Sequence, residues 1–193
     1  MARAGNDAEA ALSRRQAAPA ERPVLLVWGF MGTGKSAAGR IAARSAGVPF
    51  CDLDEELAAT GGSSVADIFA EHGEVTFRRL ERTALTRVLR ARRPRVVALG
   101  GGTLLDDALR ARALGRAFVV CLTATPAAIL RRTAGSARPL LARGRGRRAR
   151  IEALLAARSA AYAEAHAHIV TQGRPPEAVA RELLACWQGW RRS

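Results

Sequence analysis

The chain has 193 residues, enough for one domain with a substantial core. Its formal net charge is +14, but the arginines that supply it are spread along the chain, without the interleaved aromatic residues that stack nucleic-acid bases. This pattern favours anionic small ligands, and nucleic acid or an acidic surface remains the alternative. No apolar run reaches the length of a membrane span.

In chain order, the first 22 residues are rich in Ala, Arg, Glu and Pro and lack the apolar run of a signal peptide, so we expect a disordered tail before a single domain at 23–193. Strands are predicted at 24–28, 48–52, 96–99, 117–122 and 168–170. Helices are predicted at 36–46, 54–59, from 64, and at 74–92, 106–114, 126–133, 150–166 and 176–190, whereas the polar stretch 138–147 is expected to be mobile. Strands that alternate with helices predict an α/β protein, with a parallel sheet covered on both faces.

The cysteines are odd in number and far apart, at Cys51, Cys121 and Cys186, and no pair has the spacing of metal ligands. Two of them fall in predicted core strands, so we expect buried, reduced thiols and a cytoplasmic protein. The three histidines show no metal or catalytic partner in the pattern, and we interpret them as structural or surface residues.

Residues 29–36 read Gly-Phe-Met-Gly-Thr-Gly-Lys-Ser, the G-x-x-x-x-G-K-S pattern of a phosphate-binding loop, between a predicted strand and a predicted helix. Lys35 is the only lysine in the chain, and its compact ammonium can reach the β- and γ-phosphates in a tight loop where a flat guanidinium would not serve. Ser36 is expected to ligate Mg²⁺ through its hydroxyl. The alternative, a glycine-rich turn that binds nothing, is disfavoured by the unique lysine.

Two aspartates, Asp52 and Asp54, end the second predicted strand and are expected to face the same side of it, at the carboxyl edge of the sheet where ligands bind. A carboxylate there can hold a Mg²⁺-bound water or accept a proton from a substrate hydroxyl. The alternative for Asp54 is a cap on the following helix. Arg78 and Glu81 lie three residues apart on a predicted helix and could pair. The alternative is that both residues belong to an ordinary solvated face of that helix.

The glycine triplet 100–102 follows a strand, so its backbone could approach a ligand closely, although a sharp turn alone is the alternative. Arg138 opens the predicted mobile segment and could bridge a transferring phosphoryl group, or be a solvated loop residue. Arg158 could hold a carboxylate with a two-pronged contact, as could Arg78.

These pieces occur in the order found in shikimate kinases, which the chain resembles from about residue 24 to its final helix. The most specific parts are residues 62–69, Gly73-Glu74, residues 77–81 and the glycine triplet. The resemblance implies a three-layer P-loop fold like that of nucleoside monophosphate kinases, with a five-stranded parallel sheet in the order 2-3-1-4-5, a substrate-binding region at about 53–82 and a mobile lid at about 136–149. It also implies ATP-dependent phosphorylation of the 3-hydroxyl of shikimate, a step of chorismate and aromatic amino-acid biosynthesis.

The resemblance implies a role for each matching residue. The catalytic residues would be Lys35, Asp54 and Arg138. The ATP-binding residues would be Gly32, Thr33, Gly34, Lys35, Ser36, Ala37 (where the family commonly has threonine), Arg132, Arg138 and Pro176, with Arg132 and Pro176 sandwiching adenine. The shikimate-binding residues would be Asp54, Arg78, Gly100, Gly101, Gly102 and Arg158. The Mg²⁺ cofactor would be held by Ser36 directly and by Asp52 through water.

The expected partners are ATP and shikimate, with no nucleic acid, no membrane and a monomeric state. Two alternatives stay open at this point. One is a P-loop kinase for another small hydroxy acid such as gluconate. The other is a non-catalytic nucleotide-binding relative that uses its basic surface to bind nucleic acid.

Overall fold

The computed structural model describes residues 24–61, 64–91, 93–134 and 146–190. Five strands form one parallel sheet, namely β1 Leu25–Gly29, β2 Phe50–Asp52, β3 Val96–Ala98, β4 Phe118–Thr123 and β5 Ala167–Val170. The helices are α1 Lys35–Ala46, α2 Leu53–Gly61, α3 Val65–Arg90, α4 Asp107–Leu114, α5 Pro126–Arg132, α6 Arg147–Ala163 and α7 Pro176–Gly189. The strand order is β2-β3-β1-β4-β5, which confirms the predicted fold class and the predicted order 2-3-1-4-5.

Two hydrophobic clusters lie on opposite faces of the sheet, because successive residues of a strand point to opposite sides. Leu26 and Trp28 of β1 join the cluster under α2 to α6, while Leu25 and Val27 join the cluster under α1 and α7. Every residue of β1 is therefore buried, which explains why this strand is continuously apolar in the sequence. The three-layer arrangement places the carboxyl end of β1, and the loop that follows it, at the centre of one edge.

The helix that carries Arg78 is broken where the sequence predicts two helices. Gly73 has φ 74° and ψ 170° inside α3, a left-handed value of φ that favours glycine. The predicted cap at the start of this helix is also confirmed, because Ser64 and Asp67 satisfy each other's backbone N–H groups.

The predicted start of α6 was wrong by three residues. The helix begins at Arg147, directly after Gly146 at φ 103°, so residues 147–149 are helical rather than part of a mobile stretch. Arginine is a good helix former, which allows the helix to extend back to that glycine.

Three predictions lie outside the described residues, namely Arg138, most of the lid and the tail at 1–22. In the described part of the chain, no helix combines the length and the apolar character needed to cross a membrane.

Candidate active site

The loop between β1 and α1 has the geometry of a phosphate cradle. Gly34 adopts φ 90° at the start of α1, and no side chain caps that helix, so its N-terminal dipole faces the loop. The carbonyl of Phe30 accepts hydrogen bonds from the Thr33 hydroxyl at 2.8 Å and from Lys35 Nζ at 3.0 Å. These bonds hold the loop curved, with the ammonium of Lys35 beside the end of the helix.

Two oxygens suited to a divalent cation lie next to the loop. The Ser36 hydroxyl donates to Asp52 Oδ2 at 2.5 Å, which joins the first turn of α1 to the carboxyl end of β2.

The prediction that Asp52 and Asp54 share one strand was wrong, because the strand ends at Asp52 and Asp54 lies in the first turn of α2. The backbone N–H of Asp54 donates to Asp52 Oδ1 at 3.1 Å, so the carboxylate of Asp52 stabilises a helix that starts immediately after the strand.

Beyond the loop, a buried carboxylate organises the next part of the site. Glu81 is 2% exposed and accepts from Arg78 Nη1 at 2.5 Å and from the Thr103 hydroxyl at 2.7 Å. The predicted pairing of Arg78 with Glu81 is confirmed, and Glu74 accepts a further bond from Arg78 at 3.0 Å. Burial raises the pKa of Glu81, against the hydrogen bond from Thr103 and the charge of Arg78, and the nearby carboxylate of Asp54 raises it further.

The glycine triplet touches this carboxylate cluster and both arginines. A Cβ at Gly100 would lie 3.0 Å from Asp54 Oδ1, and a Cβ at Gly101 would lie 3.4 Å from Arg158 Nη1. At Gly102, a Cβ would lie 2.7 Å from both terminal nitrogens of Arg78. The structure therefore brings the residues predicted to bind the acceptor together around one loop. The triplet does more than form a sharp turn, because these side chains pack against it.

Arg158 is almost completely buried on α6 and lies over the ring of Phe30, with 5.4 Å between its Cζ and the ring centroid. One turn further along α6, the hydroxyl of Tyr162 donates to Gly101 O at 2.9 Å. Burial raises the pKa of Tyr162 to about 12, so this side chain stays a neutral donor. The rings of Trp28 and Tyr162 pack at 79° to each other with 4.6 Å between their centroids, which holds Tyr162 against the buried end of β1.

A cavity of about 210 Å³ lies on the other side of the phosphate loop. It is lined by Thr33, Gly34, Ala38, Arg132, Thr171, Arg174, Pro176 and Val179. Arg132 donates to Gly32 O, to Thr171 Oγ1 and to Thr171 O at 3.2, 2.9 and 2.7 Å, and these three bonds from Nη1 and Nη2 orient the plane of its guanidinium. Arg132 and Pro176, the two residues predicted to hold adenine, both line this cavity. Sequence reasoning missed Thr171 and Arg174, which carry no motif.

The close approach of Gly102 to Arg78 gives a direct test. Gly102→Ala is expected to raise the KM for the acceptor, because the new methyl group would displace a guanidinium that Glu81 and Glu74 hold in place. The KM for the nucleotide should not change. Steady-state kinetics against both substrates measures the two values, and Gly189→Ala is the control, because among the described residues a Cβ there would meet nothing within 4 Å beyond its chain neighbours and its own helix backbone. An unchanged acceptor KM would contradict the placement of Arg78.

The phosphate loop, which carries Lys35, and the glycine triplet, which Asp54 and the two arginines surround, both follow strands at the carboxyl edge of the parallel sheet. A nucleotide phosphate on the loop would meet a small anion held by the arginines, which is the arrangement of a P-loop kinase for a small anionic acceptor.

The comparisons with known proteins identify the family. The sequence profile of shikimate kinase matches residues 31–188. The shikimate kinase of Deinococcus radiodurans is 37% identical over 173 residues, which cover 89% of this chain and 87% of the relative. The shikimate kinase of Thermus thermophilus is 42% identical over 158 residues, or 81% of this chain and 85% of the relative. The structure of shikimate kinase from Acinetobacter baumannii in complex with shikimate has a TM-score of 0.81 and 31% identity, covering 86% of this chain and 93% of that one. The chain belongs to the shikimate kinase family, and it is a kinase that phosphorylates shikimate.

Proposed function

We propose that the chain transfers the γ-phosphoryl group of ATP to the 3-hydroxyl of shikimate, with Asp54 at the hydroxyl and with Arg78 and Arg158 at the carboxylate. One observation supports this division most strongly. Asp54, Arg158 and Arg78 each occupy the space that a Cβ would enter at a different glycine of the triplet 100–102. A small acid with hydroxyl groups needs cationic forks at one end and a carboxylate at the other, which is what this loop gathers.

Asp54 would accept the proton of the attacking hydroxyl or orient that hydroxyl toward the phosphorus. Arg78 is held by Glu81 and Glu74 on one side, so its orientation toward the glycine loop is set before the substrate binds. Arg158 is fixed over Phe30 in the same way. Most of the rate enhancement in phosphoryl transfer comes from positioning and charge neutralisation, so pre-oriented cations are the main contribution of this half of the site.

On the nucleotide side, Lys35 and the backbone N–H groups of residues 32–37 would bind the phosphates. Arg132 and Pro176 would hold the adenine ring in the cavity that they line. Arg138, which lies outside the described residues, would contact the phosphates as the resemblance implies.

The oxygens of Ser36 and Asp52 fit Mg²⁺, a hard cation that is held by a few protein oxygens together with phosphate and water. Ser36 would ligate the ion directly, and Asp52 would hold one of its waters. When bound, the ion would neutralise charge on the β- and γ-phosphates. The hydrogen bond between Ser36 and Asp52 keeps the two donors together at that point. We further propose a monomeric, cytoplasmic enzyme with a single kinase domain at 23–193.

The direct experiment is an assay of ADP release from MgATP with and without shikimate, with product mass measured by mass spectrometry. We expect strong shikimate-dependent release of ADP and a product heavier by one phosphoryl group. Gluconate, measured in parallel, should give little turnover, since Arg78, Arg158 and the glycine triplet are the positions that match shikimate kinases. Turnover of gluconate without turnover of shikimate would reject the proposed acceptor. Tight, salt-sensitive binding of nucleic acid without any turnover would reject kinase function altogether.

A further inference from the structure

A buried arginine outside the acceptor site connects two of the elements that build it. Arg110 lies on α4 and is 7% exposed. Its Nη1 donates to Leu104 O at 3.1 Å and to Leu105 O at 3.3 Å, while its Nη2 donates to Asp107 at 2.8 Å and to Glu164 at 2.8 Å. These bonds replace water that the two terminal nitrogens lose on burial, whereas Nε is buried without a partner among the described residues.

The partners of Arg110 belong to the two elements that must keep a fixed relation. Leu104 and Leu105 continue the glycine loop, two and three residues after Gly102. Glu164 follows the last turn of α6, two residues after Tyr162 and six after Arg158. Arg110 therefore ties the end of the glycine loop to the end of the helix that carries a carboxylate-binding arginine.

A second hydrogen bond between the same elements comes from Tyr162, two residues before Glu164. The hydroxyl of Tyr162 donates to Gly101 O at 2.9 Å, close to the place where Arg158 reaches the loop. Packing of Ile151 in the core holds the body of α6. The bond from Arg110 to Glu164 adds a second polar link between the end of this helix and the loop.

The other side of the loop is fastened to α3, which carries Arg78. The hydroxyl of Thr103 donates to Glu81, and Arg82 donates to Asp106 at 2.7 Å. Residues 100–106 thus sit between the two arginine-bearing helices. The distance between Arg78 and Arg158 depends on how firmly each helix is joined to this loop.

We propose that Arg110 is a positioning residue for the acceptor carboxylate. It keeps α6 in register with the glycine loop, so that Arg158 and Arg78 stay at the spacing that one carboxylate can bridge. This inference rests on the proposed function, because it assumes that both arginines bind the carboxylate of shikimate.

The test replaces Arg110 by methionine, which keeps much of the apolar stem but removes the hydrogen bonds. Because a misplacement of about 1 Å can cost about 100-fold, we expect the shikimate KM to rise about 10- to 100-fold. The ATP KM and the kcat at saturating shikimate should stay close to those of the wild type. Arg110→Lys should restore part of the loss, since an ammonium can reach some of the same acceptors.

A second readout separates positioning from a general loss of structure. Wild-type enzyme should prefer shikimate strongly over its methyl ester, which lacks the carboxylate charge, and Arg110→Met should lose much of that preference. The control is Arg112→Met, because Arg112 is exposed on the same helix as Arg110. A lower melting temperature with unchanged shikimate KM and unchanged discrimination would overturn the inference.

If Arg110→Met does not fold, Glu164→Ala decides the question, because the Glu164 side chain is 49% exposed and its loss is milder. A selective rise in the shikimate KM of this variant supports the inference, and no change overturns it. Wild-type enzyme is measured first. A wild type without shikimate turnover would reject the proposed function, whereas normal wild-type turnover with unaffected variants would reject only the role of Arg110.

Discussion

Replacement of Asp54 by asparagine is expected to lower kcat with shikimate by about 10²- to 10⁴-fold, the range typical of a lost general base. Asparagine has nearly the same shape and can still accept a hydrogen bond, but it cannot take a proton from the hydroxyl. Asp54 lies in the first turn of α2, where its backbone N–H is held by Asp52 and its side chain faces Gly100. The substitution should therefore leave the fold and the nucleotide site intact.

Single-turnover measurements of shikimate phosphorylation give the rate of the chemical step, and calorimetric titration gives the affinity for ATP. We expect only the rate to change. Glu55→Gln is the matched control, because Glu55 is the next residue of the same helical turn and makes an exposed pair with Arg40. If Asp54→Asn retained a wild-type rate while Glu55→Gln lost activity, the base would have to be assigned elsewhere.

The nucleotide half of the site could be predicted from sequence because its parts are contiguous. An apolar strand, the G-x-x-x-x-G-K-S loop and a helix occur within residues 24–46, and each follows from local physical rules. The strand order could not be derived in this way. It came from the resemblance, since periodicity shows that strands exist but not which ones are neighbours.

The position of Asp54 shows a limit of pattern reading. Alternation along a strand predicts that Asp52 and Asp54 share a face, but this holds only while the strand continues. Here the helix starts at Leu53, and the carboxylate of Asp52 caps it by accepting the N–H of Asp54. Both aspartates still lie at the carboxyl end of β2, which is why the predicted location was close although its argument was wrong.

The acceptor half depends on contacts between residues that are far apart in the chain. The spacing of Arg78 and Glu81 predicts a surface pair on a helix, whereas Glu81 is buried and bonded to Thr103, 22 residues away. Likewise, nothing in the local sequence distinguishes Arg110 from the many exposed arginines. Burial of a charge is decided by tertiary packing, so networks of this kind can be found only in a structure.

The phosphate loop gives the other large expected effect. Lys35→Arg should lower kcat/KM by about 10²- to 10³-fold, the loss usually seen when one oriented donor to the transition state is removed. The change keeps the positive charge, so simple electrostatics predicts little effect. However, Lys35 is the first residue of α1, and its Nζ fits within 3.0 Å of Phe30 O inside the loop. The broad guanidinium would have to leave that position, and it could no longer contact two phosphates as a compact donor.

Steady-state kinetics with ATP and shikimate measures this loss, and Lys35→Met shows how much activity remains when the charge is absent. Arg40→Lys is the reciprocal control, since Arg40 is exposed on the same helix and should tolerate the exchange. The chain has 30 arginines and a single lysine, so a near-normal rate for Lys35→Arg would mean that position 35 does not need an ammonium. The retained lysine would then have no explanation in the chemistry of the loop. If instead Lys35→Arg were as inactive as Lys35→Met, the shape of the cation, and not only its charge, would be required.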